Sequence, residues 1–218
     1  MGYNKLSDHD RTDYRMQWNA LIHGILSTSL AIYTTFGTCG NGKTFLNDQE
    51  CRETARNSHV WLTSFTAGYL TLESFYILTV LGIEKPIDKQ SLLHHIVAAS
   101  QLYLAFWQLG FPLIIGTCFL MLELSTPFVC ARWLLFHHGM KGSTLETINK
   151  VCLAFIFIFG RCFFYTYLIV AFAVEWCTRL WFEEEGISMG YKIVVLEMVL
   201  AVFSNMILNY YWSWLIVL

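Results

Sequence analysis

Charge is what this chain has least of. Asp, Glu, Lys and Arg together make up 14% of its residues and hydrophobic types 56%, whereas a soluble domain carries about a quarter charged residues. That shortage excludes an ordinary soluble surface and leaves lipid as the solvent. With a net charge of −2 and no basic excess, nucleic acid is excluded as a partner. An apolar core near the start is also missing. Residues 1–17 mix Lys5, Arg11 and Arg15 with Asp8, Asp10 and Asp13, which is neither a secretory signal nor an acid-poor mitochondrial presequence. There is no Asn-X-Ser/Thr sequon and no Cys-x-x-Cys pair. The two-residue alternation of a membrane barrel strand is absent, as are internal repeats and the broken, duplicated helices of many transporters. Cys118, Cys130, Cys152, Cys162 and Cys177 fall in or beside apolar runs, where Cys behaves as a small hydrophobe. Cys39 and Cys51 share a loop and would pair only if it faces an oxidising space.

What is present is six apolar segments, Trp18–Gly37, Val60–Ile83, Leu92–Leu109, Phe111–Phe136, Val151–Trp176 and Ile193–Leu218. Each approaches or exceeds the roughly 18–20 residues a helix needs to cross about 30 Å of hydrocarbon. Only helices satisfy their own backbone there. The expected fold is all-α: a polytopic bundle of about six transmembrane helices, with a polar segment at 1–17 and a membrane domain at 18–218. Gly110 and Pro112 predict a tight turn between the third and fourth spans. Ser143-Thr144-Leu145-Glu146 predicts a capping box that starts the fifth. Trp61, Trp107, Trp133, Trp176 and Trp181 read as interface anchors. Lys5, Arg11, Arg15, Lys85, Lys89, Lys141 and Lys150 would share one side, against Lys43, Arg52, Arg56, Arg179 and Lys192 on the other. The positive-inside rule then puts the N-terminus in the cytosol, or in the matrix of a mitochondrion.

Polar groups inside spans cost about 2.5–3.5 kcal/mol each when charged, so each needs a reason. Tyr69, Glu73 and Tyr76 follow one helical face. So do His94, Ala98 and Gln101, and again Asn205, Asn209 and Trp212. Glu123 and Arg161 lie on the fourth and fifth spans. Such stripes predict a polar pocket open toward the N-terminal side. An ion pair of Arg161 with Glu123 or Glu73 that merely holds helices together is the plainer reading, as is helix adhesion through the Asn pair. Ser125 and Thr126 would return hydrogen bonds to the backbone near Pro127. Adjacent histidines point about 100° apart, and no HxxxH accompanies them, so no metal site is expected. A buried neutral imidazole tuned by a carboxylate can act as nucleophile or base. His137-His138 falls at a loop boundary.

Gly68-Tyr69 followed by Glu73, then Leu93-His94-His95, then Glu123-Leu124-Ser125-Thr126-Pro127-Phe128 with Arg132-Trp133, resembles the TLC-domain family, over roughly Val60 to Leu215. The likeness is greatest to its small members that carry an E-S-T-P-F run. The family includes ceramide synthases, in which the His pair serves N-acylation of a sphingoid base by acyl-CoA. The resemblance implies catalytic roles for His94, His95 and Glu73, with His94 taking the acyl group and His95 or Glu73 moving the proton. It implies a binding set of Tyr69, Gln101, Glu123, Arg161, Asn205 and Asn209, an apolar acyl tunnel, acyl-CoA as co-substrate with no resident cofactor, membrane lipids as partners and an endoplasmic-reticulum setting. The paired Asp motif of ceramide synthases has no match here, and Glu73 stands where small relatives usually have Asp. Those departures motivate an alternative, an accessory subunit that keeps the fold without the chemistry and associates with other membrane subunits, for example in the mitochondrial inner membrane.

Overall fold

The computed structural model describes residues 7–36, 48, 50, 57–83, 86–108, 111–178 and 189–217. Among these the chain is helical, in six rods. Rod one is α1 (Asp8–Phe36). Rod two is α2 (Asn57–Tyr76), extended by a π turn, Ile77–Leu81. Rod three is α3 (Pro86–Gln108). Rod four runs from α4 (Phe111–Phe119) through a 3₁₀ segment, Leu120–Ser125, into α5 (Thr126–His137). Rod five runs from α6 (Thr144–Ile156) through a π segment, Phe157–Phe164, into α7 (Tyr165–Thr178). Rod six is α8 (Met189–Val217). No strand occurs among the described residues.

The bundle is apolar outside and buries polar groups as well as apolar ones within. Leu72, Phe75, Trp61, Trp107, Val151, Phe155, Phe163 and Ile207 stand exposed, whereas Thr63, Thr66, Thr117, Ser125, Arg161, Asn205 and Asn209 are buried. That inversion is what a lipid solvent selects. It also explains why, among the described residues, three stretches, Pro112–His137, Thr144–Ala171 and Leu196–Ile216, are long and apolar enough to cross a membrane by composition alone. The first two rods face the interior with His23, Ser27, Thr28, Thr34, Thr35, His59, Thr63, Thr66 and Ser74. These lower their mean hydropathy while Ile22, Ile25, Leu26, Leu30 and Tyr33 keep an apolar outer face on rod one.

Helix ends follow local chemistry. α1 begins inside the polar segment assigned to 1–17: the Asp10 N–H donates to Ser7 Oγ at 3.1 Å, and the helix continues unbroken across the boundary at Trp18. Rod five starts at Thr144, where Ser143 Oγ accepts from the Glu146 N–H at 3.2 Å. The reciprocal arm of that capping box is displaced by one residue, because Glu146 Oε2 accepts from the Gly142 N–H at 2.8 Å rather than from Ser143. In rod four, Pro127 has no N–H for the Glu123 carbonyl. The chain tightens into 3₁₀ geometry and the Thr126 N–H serves that carbonyl instead. Gly110, Cys39, Cys51, Trp181, Lys43, Arg52, Arg56 and Arg179 lie outside the described residues, as does the Trp176 side chain. Trp133 stacks on His137 with ring centroids 3.5 Å apart.

Rod one crosses rod four at a glycine. A Cβ on Gly24 would lie 3.1 Å from both Thr126 Cβ and Pro127 Cδ. Gly68 has open space around that position. In an open helix Gly→Ala gains about 1 kcal/mol of propensity, so Gly68→Ala should hold or raise the unfolding temperature. Gly24→Ala should lower it, with overpacking costing about 1–3 kcal/mol. Thermal unfolding of the two variants in one detergent checks the contrast.

Candidate functional site

Two buried apolar clusters flank the site. One joins rods one to four through Ala31, Leu62, Ala67, Leu70, Ala99, Leu102 and Leu120. The other joins rods four to six through Leu122, Tyr165, Ile169 and Val202. Between them lies a small, open-mouthed cavity. His94, Gln101, Glu123, Arg161, Asn205 and Asn209 line its polar part. Ala105, Pro112, Ile115, Gly116, Phe119, Met198 and Val202 line an apolar part nearer the start of rod four. From His94 to Ala105 the wall follows α3 for about 16 Å at 1.5 Å per residue.

The irregular helical segments position the charges. Glu123 and Ser125 belong to the 3₁₀ segment and Arg161 to the π segment, a local geometry that recurs at functional sites. Arg161 Nε donates to Ser125 Oγ at 2.7 Å, Nη1 to Asn209 Oδ1 at 3.4 Å and Nη2 to Thr126 Oγ1 at 3.4 Å. Nη2 lies 3.7 Å from Glu123 Oε1. Thr126 Oγ1 in turn donates to Glu123 Oε2 at 2.5 Å. The pair is thus neutral as a unit and ties rods four, five and six together. Arg161 joins Glu123, not Glu73. Ser125 Oγ does bond back to the Leu122 carbonyl, at 3.2 Å, but Thr126 serves the carboxylate instead of the backbone.

The two histidines part company. His94 faces the cavity, its Nδ1 3.1 Å from Asn205 Oδ1 and its ring edge-on to Trp212 at 5.3 Å between centroids. The Trp212 Nε1–H donates to Gln90 Oε1 at 3.0 Å, closing rods three and six over the imidazole. His95 turns to the seam of rods one to three, where its Nε2 lies 3.6 Å from Glu73 Oε2. Glu73 and Tyr69 occupy that seam and do not line the cavity. So the expected set separates into a cavity group (His94, Gln101, Glu123, Arg161, Asn205, Asn209) and a seam group (His95, Glu73, Tyr69). His23, not singled out in the sequence, stacks on Tyr69 at 3.7 Å between centroids and 10° between planes, and its Nε2 is 2.9 Å from Ser27 Oγ. Its lone placement in an apolar run, with Ser27 one turn on, is the signal that marks it. No cluster of three or more His, Cys, Asp or Glu able to hold a metal occurs among the described residues.

A helical bundle with an apolar exterior, a buried ion pair and a cavity lined by an imidazole defines a polytopic membrane protein. The chain belongs to the TLC-domain family: the family model for the TLC domain matches residues 15–218. It is similar to TLC domain-containing protein 4 A of Dictyostelium discoideum, at 22% identity over 178 residues. That match covers 81% of this chain and 66% of the relative, so the chain spans just under two thirds of that protein's length.

Proposed function

We propose that this TLC-domain protein handles single-chain lipids or acyl chains, holding the tail along the Ala105–Gly116 side of the cavity and presenting the polar end to His94. The observation that carries the reading is the cavity lining itself: one continuous space, apolar at one end, with an imidazole, a compensated Arg161–Glu123 pair and two Asn at the other. In acyl transfer, His94 Nε2 attacks the carbonyl carbon of a thioester such as acyl-CoA. The C–N bond forms, the C–S bond breaks and the thiolate leaves with its electron pair. An amine then attacks the same carbon, the bond to imidazole breaks and its pair returns to Nε2. The proton lost by the amine passes to the thiolate, leaving an amide and a thiol. His95 and Glu73, one seam away, act on proton traffic through their neighbour rather than by touching substrate.

Gly116 supplies the test. A Cβ there would meet Ala105 Cβ at 3.5 Å and Leu102 Cδ2 at 3.7 Å, ordinary van der Waals contacts, so a side chain can start from this position, and Gly116→Leu, checked for folding by its unfolding temperature, would fill the apolar end. Displacing two methylenes of a ligand removes about 1.6 kcal/mol, about tenfold in affinity. Binding of a fluorescent single-chain lipid with a long tail should weaken by about that factor, and binding of its short-tailed homologue should not change. Equal effects on both tails would remove the cavity from the account and favour the accessory-subunit reading.

A further inference from the structure

Three side chains on the cavity wall form a directed hydrogen-bond chain. The Asn205 Nδ2–H donates to Gln101 Oε1 at 3.1 Å, which leaves Asn205 Oδ1 facing His94 Nδ1 at 3.1 Å. An amide oxygen only accepts. His94 Nδ1 therefore carries the proton, and the lone pair resides on Nε2. The same chain orients Gln101. With Oε1 engaged by Asn205, Gln101 Nε2 is a buried donor with no partner, on a residue that lines the cavity together with His94. The two residues stand seven apart on α3, two turns along one face. A buried donor left unsatisfied calls for an explanation, and a ligand acceptor in the cavity provides one. Arg161 Nε, Nη1 and Nη2 each already donate to a side chain, and the Tyr165 hydroxyl donates to the Val202 carbonyl at 3.1 Å.

We infer that Gln101, Asn205 and His94 act as one unit, in which Asn205 is a positioning residue that holds His94 in its Nδ1–H form and Gln101 Nε2 donates to the carbonyl oxygen of the ligand. This deepens the acyl-transfer reading and rests on it for the role of the donor, whereas the position of the His94 proton rests on the orientation of the Asn205 and Gln101 amides. In that reading, charge developing on the carbonyl oxygen as Nε2 attacks is met by a donor already in place.

The experiment uses the full chain in lipid nanodiscs. The ¹⁵N imidazole spectrum, assigned by loss of one signal in His94→Gln, should show His94 as the Nδ1–H form. Asn205→Asp should retain that form, since a carboxylate still accepts from Nδ1–H, and Asn205→Leu should lose it. Gln101→Met should lower kcat for transfer from a long-chain acyl-CoA to a single-chain amine by about 10²–10³-fold, with little change in KM. The same variant should weaken binding of a long-chain methyl ketone while leaving that of the matching alkane unchanged. A wild-type His94 protonated on Nε2 overturns the positioning role. Ketone binding unaltered in Gln101→Met overturns the donor role. If His94→Gln keeps full transfer activity, or no transfer occurs in wild type, the proposed acyl chemistry fails, while the spectrum and the ketone still decide this inference.

Discussion

Arg161→Met should destabilise the bundle by about 3–5 kcal/mol, the cost of leaving one member of a buried ion pair without its partner. The guanidinium is buried, 7% exposed, in the π segment, and it reaches Ser125, Thr126, Asn209 and Glu123. Its loss strands the Glu123 carboxylate in the cavity wall and removes the ties from rod five to rods four and six. Single interhelical hydrogen bonds in membranes average only about 0.6 kcal/mol, so the uncompensated charge dominates the expected loss. Adding Glu123→Gln should restore most of it, because the stranded charge disappears and Thr126 can still bond to the amide. Thermal unfolding of wild type, single and double variants in one detergent measures this. If the double variant is no more stable than Arg161→Met alone, then Glu123 is not the group that Arg161 neutralises.

His94→Ala should reduce acyl transfer by about 10²–10⁴-fold with the fold intact, the range lost when a positioned acid–base or nucleophilic side chain is removed. His95→Ala should behave differently. Its imidazole contacts Glu73 in the seam of rods one to three, so removing it should cost about 1–3 kcal/mol of stability by leaving a buried carboxyl unpartnered, with a smaller loss of rate. The comparison is sharp because the two residues are adjacent in sequence and identical in type. Only the rotation of α3 assigns one to the cavity and the other to the seam. Transfer assays at a temperature where both variants remain folded, read beside their unfolding curves, separate the two effects. Equal rate losses at equal stability would mean that both imidazoles act on the substrate.

The all-α membrane class was legible because lipid imposes a simple rule on composition and segment length. The six segments correspond to the six rods, and the stripes of His94, Ala98 and Gln101 and of Asn205 and Asn209 share the cavity because helical spacing alone puts them on common faces. The split of the His pair was not legible. A 100° step between neighbours says that they diverge, but which seam each enters depends on packing between rods. The irregular segments were hidden for a similar reason. Pro127 marks the site where the 3₁₀ segment gives way to α5, but no residue of the sequence marks the π segment from which Arg161 reaches Ser125 and Asn209 across rods. The same holds for Ser125 and Thr126. Their hydroxyls satisfy local backbone in most helices, and only the approach of Arg161 makes them part of the site.

A density map of the full chain in lipid nanodiscs should show continuous density for one apolar chain, running from beside Gly116 and Ala105 and terminating within reach of His94. A cavity closed by its own side chains, with lipid density only on the outer faces of the rods, would contradict lipid binding in the cavity.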